Sequence, residues 1–174
     1  MPVHNNEIIT STKNSKIKEV VLLQQKTSER RKNGMFIVEG IREICHCSDS
    51  GFEIDSLYIS DEILKDESSI SKIPCNNIYR VSQDVYNKMA YRGSTEGVIA
   101  IVKRKERTLD SLQLPDNPLI VVLESVEKPG NIGAILRSAD AAGVDAVIVC
   151  DPLTDMENPD RKSTRLNSSH ELVS

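Results

Sequence analysis

Aromatic residues make up only 3% of this 174-residue chain, and tryptophan is absent. So few rings exclude the extensive base stacking by which single-strand binders hold nucleic acid. Long apolar runs are also missing: none approaches the ~18 residues needed to span a bilayer. The opening residues, MPVHNNEIITSTKNS, carry no hydrophobic stretch of the secretory kind. A cytoplasmic location is therefore expected. The four cysteines, Cys45, Cys47, Cys75 and Cys150, form no C-x-x-C pair, and Cys45-His46-Cys47 is wrongly spaced for a zinc knuckle. Reduced, mostly buried thiols and no metal site are expected. His4, His46 and His170 stand in no pattern that suggests a metal or a triad.

What is present suits a globular protein: 39% hydrophobic and 28% charged residues. The length allows one ordinary domain, or a small domain plus part of another. The net charge of −4 does not advertise a nucleic-acid binder, but its distribution is uneven. Lys13, Lys16, Lys18, Lys26, Arg30, Arg31 and Lys32 crowd one window that only Glu19 and Glu29 oppose. Such a patch can steer a phosphate backbone locally, or it can be a solvated helix face. Composition leaves both readings standing. RNA, on the first of them, would be held by charge and shape.

Periodicity places the elements. Ile17, Val20, Val21 and Leu23 have helical spacing over residues 15–25, with Asn14 or Ser15 as the N-cap. A strand follows Asn33-Gly34 at 35–38, and a helix at 40–47 ends at Ser50-Gly51. Strands are predicted at 57–59, 77–81 and 98–102. Ser60 with Asp61 and Glu62 reads as one helix start, and Ser82 caps another that runs to about Ala90. Alternating strands and helices predict an α/β layer structure on a largely parallel sheet. Residues 1–102 form the first domain on this reading. Residues 103–118, which open on a charged run and close on Pro115 and Pro118, form a linker.

The stretch 119–151 carries the most information. It is an apolar run, a Pro-Gly-Asn turn, an amphipathic stretch and a second apolar run, which together read as one β-α-β unit. The turn lies where the first strand ends, the place where open α/β sheets put ligand chemistry. Gly130 and Gly133 flank Asn131, permitting a tight backbone and a close ligand approach. Asn131 can cap the helix or reach toward a substrate. Ile132, Ile135, Leu136 and Ala139 would face the sheet, with Gly133 and Arg137 on another face. Arg137 can pair with Asp140, reach Glu124, or serve a ligand. No Gly-Lys-Ser/Thr follows and G-x-G-x-x-G is missing, so neither phosphate loop is present.

Glu124, the run Pro129-Gly130-Asn131-Ile132-Gly133-Ala134-Ile135-Leu136-Arg137-Ser138-Ala139 and Gly143 resemble the first motif of the SpoU (TrmH) family of RNA ribose 2′-O-methyltransferases, in the SPOUT superfamily. Asp151-Pro152-Leu153-Thr154-Asp155 and Asn158-Pro159 are similar to the family's sequence just beyond that motif. Upstream, Ile9-Thr10-Ser11, Asn14, Ile17-Lys18, Arg30 or Arg31, Phe36, Glu39-Gly40 and Thr95-Glu96-Gly97-Val98 resemble the family's substrate-binding domain.

The resemblance implies a small α/β/α ribosomal-protein-like RNA-binding domain, then the first β-α-β part of a SPOUT trefoil-knot domain at 119–160. It implies methyl transfer from S-adenosylmethionine to a ribose 2′-hydroxyl of ribosomal or transfer RNA. Arg137 would be catalytic and Asn131 its partner at the substrate, while Lys16, Lys18, Arg30, Arg31 and Glu39 would meet RNA. A fixed positive charge at Arg137 would act as an electrostatic clamp rather than a general base.

The chain departs from the family after residue 160. Motifs that would build the knotted cofactor pocket are absent, and residues 161–174 read as a non-family tail. The knot is therefore expected to be incomplete, the chain inactive as it stands, and the family's homodimer doubtful. A sheet ending after two buried strands would expose apolar faces and edges. The competing reading is a non-catalytic RNA-binding module built on residues 1–102.

Overall fold

The computed structural model describes residues 3–68, 70–91, 96–105, 108–151, 153 and 171–173, the side chains of 3–6, 129 and 171–173 excepted. Two units emerge, Met1–Arg104 and Lys105–Ser174.

In the first unit, short apolar runs separated by capped helices give β1 (Val3–Ile9), α1 (Ser15–Gln25), α2 (Thr27–Asn33), β2 (Met35–Glu39), α3 (Ile41–Asp49), β3 (Ile54–Ile59), β4 (Cys75–Val81), α4 (Gln83–Met89) and β5 (Val98–Lys103). The sheet has the order β1-β4-β3-β5-β2. It is mixed, not largely parallel: β4 runs parallel to β1 and β3, while β5 runs antiparallel to β3 and β2. Val98 to Val102 are buried on both faces of β5, so this strand needs a neighbour on each edge and a helical layer on each side. Ile99 and Ile101 pack with Ile17, Val20 and Leu23 of α1 and Val85 and Met89 of α4. On β2, Phe36 meets Phe52 edge to face at 5.9 Å.

The capping residues behave as their chemistry requires. Asn14 Oδ1 accepts from the Lys16 amide at 2.9 Å, opening α1, and Ser82 opens α4. Gly34, at φ 61°, closes α2 in the left-handed conformation that glycine tolerates. The helix expected to start at Ser60 does not form. The Ser60 carbonyl accepts from the Ile63 and Leu64 amides in a single turn. Asp61 is drawn into an ion pair with Arg80, which Glu67 shares, and Asp66 binds the Ser68 backbone and hydroxyl. Such local side-chain bonds compete with helix propagation.

The second unit contains β6 (Ile120–Glu124), α5 (Pro129–Ala141), β7 (Ala146–Cys150) and β8 (Glu171–Val173), the strands all parallel in the order β6-β7-β8. Leu136 and Ala139 of α5 pack on Val121, Leu123, Val147 and Val149, covering one face. The opposite face of β6 is not covered as its apolar composition suggested: Val122 is 61% exposed. The third strand, pairing Glu171 with Ala146 and Val173 with Ile148, extends a sheet that the sequence reading ended at two strands. Among the described residues no helix is long and apolar enough to cross a membrane.

Candidate functional site

Parallel strands β6 and β7 end side by side, Glu124 opposite Cys150, and each is followed by a non-glycine residue with positive φ: Ser125 at 51° and Asp151 at 45°. The Ser125 amide donates to the Cys150 carbonyl at 3.0 Å, tying the two bends together. Strained backbone of this kind collects at ligand sites, and the carboxyl edge of a parallel sheet is where such sites form. No glycine marks these bends, so the sequence carries no sign of them.

Helix α5 starts from this edge. Pro129, which has no N–H to leave unpaired, occupies its first position. The cap is therefore Lys128, whose carbonyl accepts from the Asn131 and Ile132 amides. Asn131 thus sits inside the first turn with an exposed side chain, instead of serving as the cap. Arg137 is exposed two turns farther along. The six-residue spacing separates the two α-carbons by about 9 Å along the axis and about 120° around it. Helical Cα–Cβ bonds tilt toward the N-terminus, so the Arg137 side chain leaves the backbone in that direction. Gly133 is buried, although the helical spacing placed it with Arg137 on a face turned from the sheet.

Gly130 has ordinary helical backbone and open space where a Cβ would stand. Its lack of a side chain is not required by the fold. Gly130→Ala is expected to raise the unfolding free energy by up to about 0.5 kcal/mol, less than the helix-interior gain because Gly130 stands in the first turn. Urea denaturation checks this, and a decrease would mean that neighbours crowd the position after all.

The residues expected to meet RNA in the first unit fall into three groups. Lys18 and Arg31 are exposed, on α1 and α2. Lys16 is half-buried: its ammonium donates to the Tyr79 hydroxyl at 2.7 Å and lies 4.3 Å from the Tyr79 ring centre. Arg30 must be withdrawn as an RNA contact. It is only 2% exposed, its Nη1 donates to the Leu23 and Gln24 carbonyls at 2.5 and 2.9 Å, and its Nη2 donates to the Thr27 hydroxyl at 3.0 Å. A guanidinium at the carbonyl end of α1 is favoured there by the helix dipole. Charged hydrogen bonds of this type contribute about 1.5–3 kcal/mol.

Glu39 likewise has a structural use. Its Oε2 accepts from the Tyr91 amide at 3.1 Å. Beside it, Glu96 Oε2 accepts from the Ile41 amide at 2.6 Å, an anion at the start of α3. Gly40, at φ 106°, donates to the Val98 carbonyl. The segments Glu39-Gly40 and Glu96-Gly97, far apart in sequence, thus build one corner. Burial pushes the Cys47 thiol up to about 12, which removes it as a nucleophile at neutral pH. Cys150, by contrast, is exposed. Among the described residues no cluster of three metal-binding side chains occurs. Thr95, Pro152, Thr154, Asp155, Asn158 and Pro159 lie outside the described residues.

Comparison with known proteins finds one family match in each part of the sequence, and the second runs on to residue 173, across the tail that the sequence reading set apart. The MRM3-like substrate binding domain matches residues 14–100, and the SpoU rRNA Methylase family matches residues 118–173. The chain belongs to the SpoU rRNA methylase family.

It is similar to the 23S rRNA (guanosine(2553)-2′-O)-methyltransferase RlmP of Bacillus subtilis (strain 168), with 28% identity over 150 residues, covering 86% of this chain and 57% of that protein. The crystal structure of an RNA 2′-O ribose methyltransferase superposes with a TM-score of 0.78 at 35% identity, covering 96% of this chain and 65% of the other. An AdoMet-bound rRNA methyltransferase from Sinorhizobium meliloti shares the fold, with a TM-score of 0.80 at 23% identity over 96% of this chain and 64% of its own. The SpoU chain thus spans 57% to 65% of the length of these relatives. At its own sheet edge Glu124, Ser125, Glu127, Lys128, Cys150 and Asp151 are all exposed.

Proposed function

We propose that this protein is a SpoU-type RNA ribose 2′-O-methyltransferase that uses S-adenosylmethionine and acts in the cytoplasm on ribosomal or transfer RNA. The observation that carries the proposal is the Asn131–Arg137 pair on α5, launched from the strained carboxyl edge of β6 and β7 in a chain of SpoU ancestry. S-adenosylmethionine supplies an already activated methyl group, so the chemistry asks mainly for placement of the ribose hydroxyl. On this reading Asn131 orients that ribose, and Arg137 holds the adjacent phosphate or the charge that develops on the oxygen. Lys18 and Arg31 contribute attraction for the backbone.

The gene itself provides the decisive test. Cells lacking it should lose ribose methylation at one RNA position, and restoring the gene should return it. An unchanged methylation map would reject the enzymatic reading and favour an RNA-binding module without catalysis.

A further inference from the structure

Among the described aromatic residues one ring stands apart. Phe36, Tyr58, Tyr79 and Tyr86 are buried and Phe52 is half-buried, whereas Tyr91 is 48% exposed. Its backbone is held firmly, since the Tyr91 amide donates to Glu39 Oε2. A held main chain bearing a half-exposed ring is a low-entropy platform for stacking.

Basic residues lie close in sequence to the junction from which Tyr91 follows. The Gln24 side-chain amide donates to the Met89 carbonyl, joining the ends of α1 and α4. Lys26 lies two residues beyond Gln24, and Tyr91 two residues beyond Met89, each at most ~7 Å of chain from the junction. Arg30, bound to the Leu23 and Gln24 carbonyls, fixes α2 at the same point. Its sequence neighbours Arg31 and Lys32 are thereby left exposed beside it, as Lys26 is. The buried arginine thus orients the exposed cations. The nearby Glu39 carboxylate is occupied by the Tyr91 amide, and Glu29 is half-buried.

We propose that Tyr91 and the cations Lys26, Arg31 and Lys32 form a grip for an unpaired RNA nucleotide, the ring stacking on the base and the cations holding its flanking phosphates. This rests on the reading of RNA as the substrate. It moves the centre of recognition from Lys16, which is engaged with Tyr79, to the α1–α2 corner. It also gives a preference for looped RNA over duplex, because a paired base offers no free face.

The absence of tryptophan permits a direct test. In the full 174-residue chain, Tyr91→Trp introduces a single indole whose fluorescence should be quenched saturably by a hairpin RNA with an unpaired loop, and not by a blunt duplex of the same stem. Tyr91→Ala should weaken hairpin binding about 10-fold or more and leave duplex binding unchanged, while Tyr91→Phe retains wild-type affinity. Changing Lys26, Arg31 and Lys32 together to alanine should weaken both probes and flatten the salt dependence. Unaltered hairpin affinity in Tyr91→Ala, equal quenching by duplex, or a wild-type chain that binds neither probe would overturn the grip. The methylation map judges the enzymatic reading separately, so the two failures are distinguishable.

Discussion

Replacing Arg137 by alanine is expected to slow methyl transfer about 10²–10³-fold while shifting stability by no more than about 0.5 kcal/mol. The two halves of this expectation have separate physical origins. Helix α5 is held by its inner side, where Leu136 and Ala139 meet the strands, and Arg137 belongs to the exposed side. Removing its side chain opens no cavity. The rate effect follows if the guanidinium holds charge that grows during the transfer, because a fixed donor at such a point has no equivalent in solvent. The measurement is the initial rate of tritiated methyl transfer to RNA by the enzyme purified from cells carrying the restored gene, with thermal melting of the same preparation. Arg137→Lys refines the result. A lysine keeps the charge but loses the planar fork, so recovery to wild-type rate would mean that a point charge suffices, and partial recovery that paired donors matter. A variant with alanine that retains most of its rate would reduce Arg137 to a surface residue.

The elements that carry Arg137 were legible in the sequence because apolar periodicity alone defines them. Two nearly unbroken apolar runs and an intervening 3.6-residue repeat can hardly be anything but β-α-β, and β6, α5 and β7 occupy those positions. Residues whose roles depend on distant partners were not legible. Arg30 sits in a basic run and reads as surface; only the folded chain brings the terminal carbonyls of α1 into its reach. Strand β1 reads VHNNEII, too polar to suggest a strand, and exists through its backbone pairing with β4. Glu39 was recognised by position, but nothing local reveals that its carboxylate accepts from the Tyr91 amide. Tyr91 was hidden by the same reasoning that noted scarce aromatics: a low count excludes a stacking surface, but not a single stack.

The largest loss of stability is expected from Gly97→Ala, and the reason distinguishes two demands that a glycine can meet. Gly97 and Gly34 both have positive φ, 82° and 61°. A Cβ on Gly34 would meet nothing within 4 Å, so alanine there incurs only the conformational penalty of about 1 kcal/mol. A Cβ on Gly97 would stand 2.5 Å from the Leu64 backbone nitrogen and 2.9 Å from its Cα, atoms that cannot rotate away. The Gly97 carbonyl also accepts from the Ser60 amide at 2.9 Å, so the two segments cannot part without losing that bond. Gly97→Ala should therefore destabilise the first unit by more than about 3 kcal/mol, in the range reserved for strained or overpacked sites. Gly34→Ala serves as the control with matched backbone sign. Thermal unfolding should separate the two by more than about 8 °C, given about 4–8 °C per kcal/mol for a unit of this size. Equal melting temperatures would show that the loop bearing Leu64 yields freely. The corner that aims Tyr91 would then be softer than its hydrogen bonds imply, and the stacking platform would lose the rigidity on which its preference for an unpaired base depends.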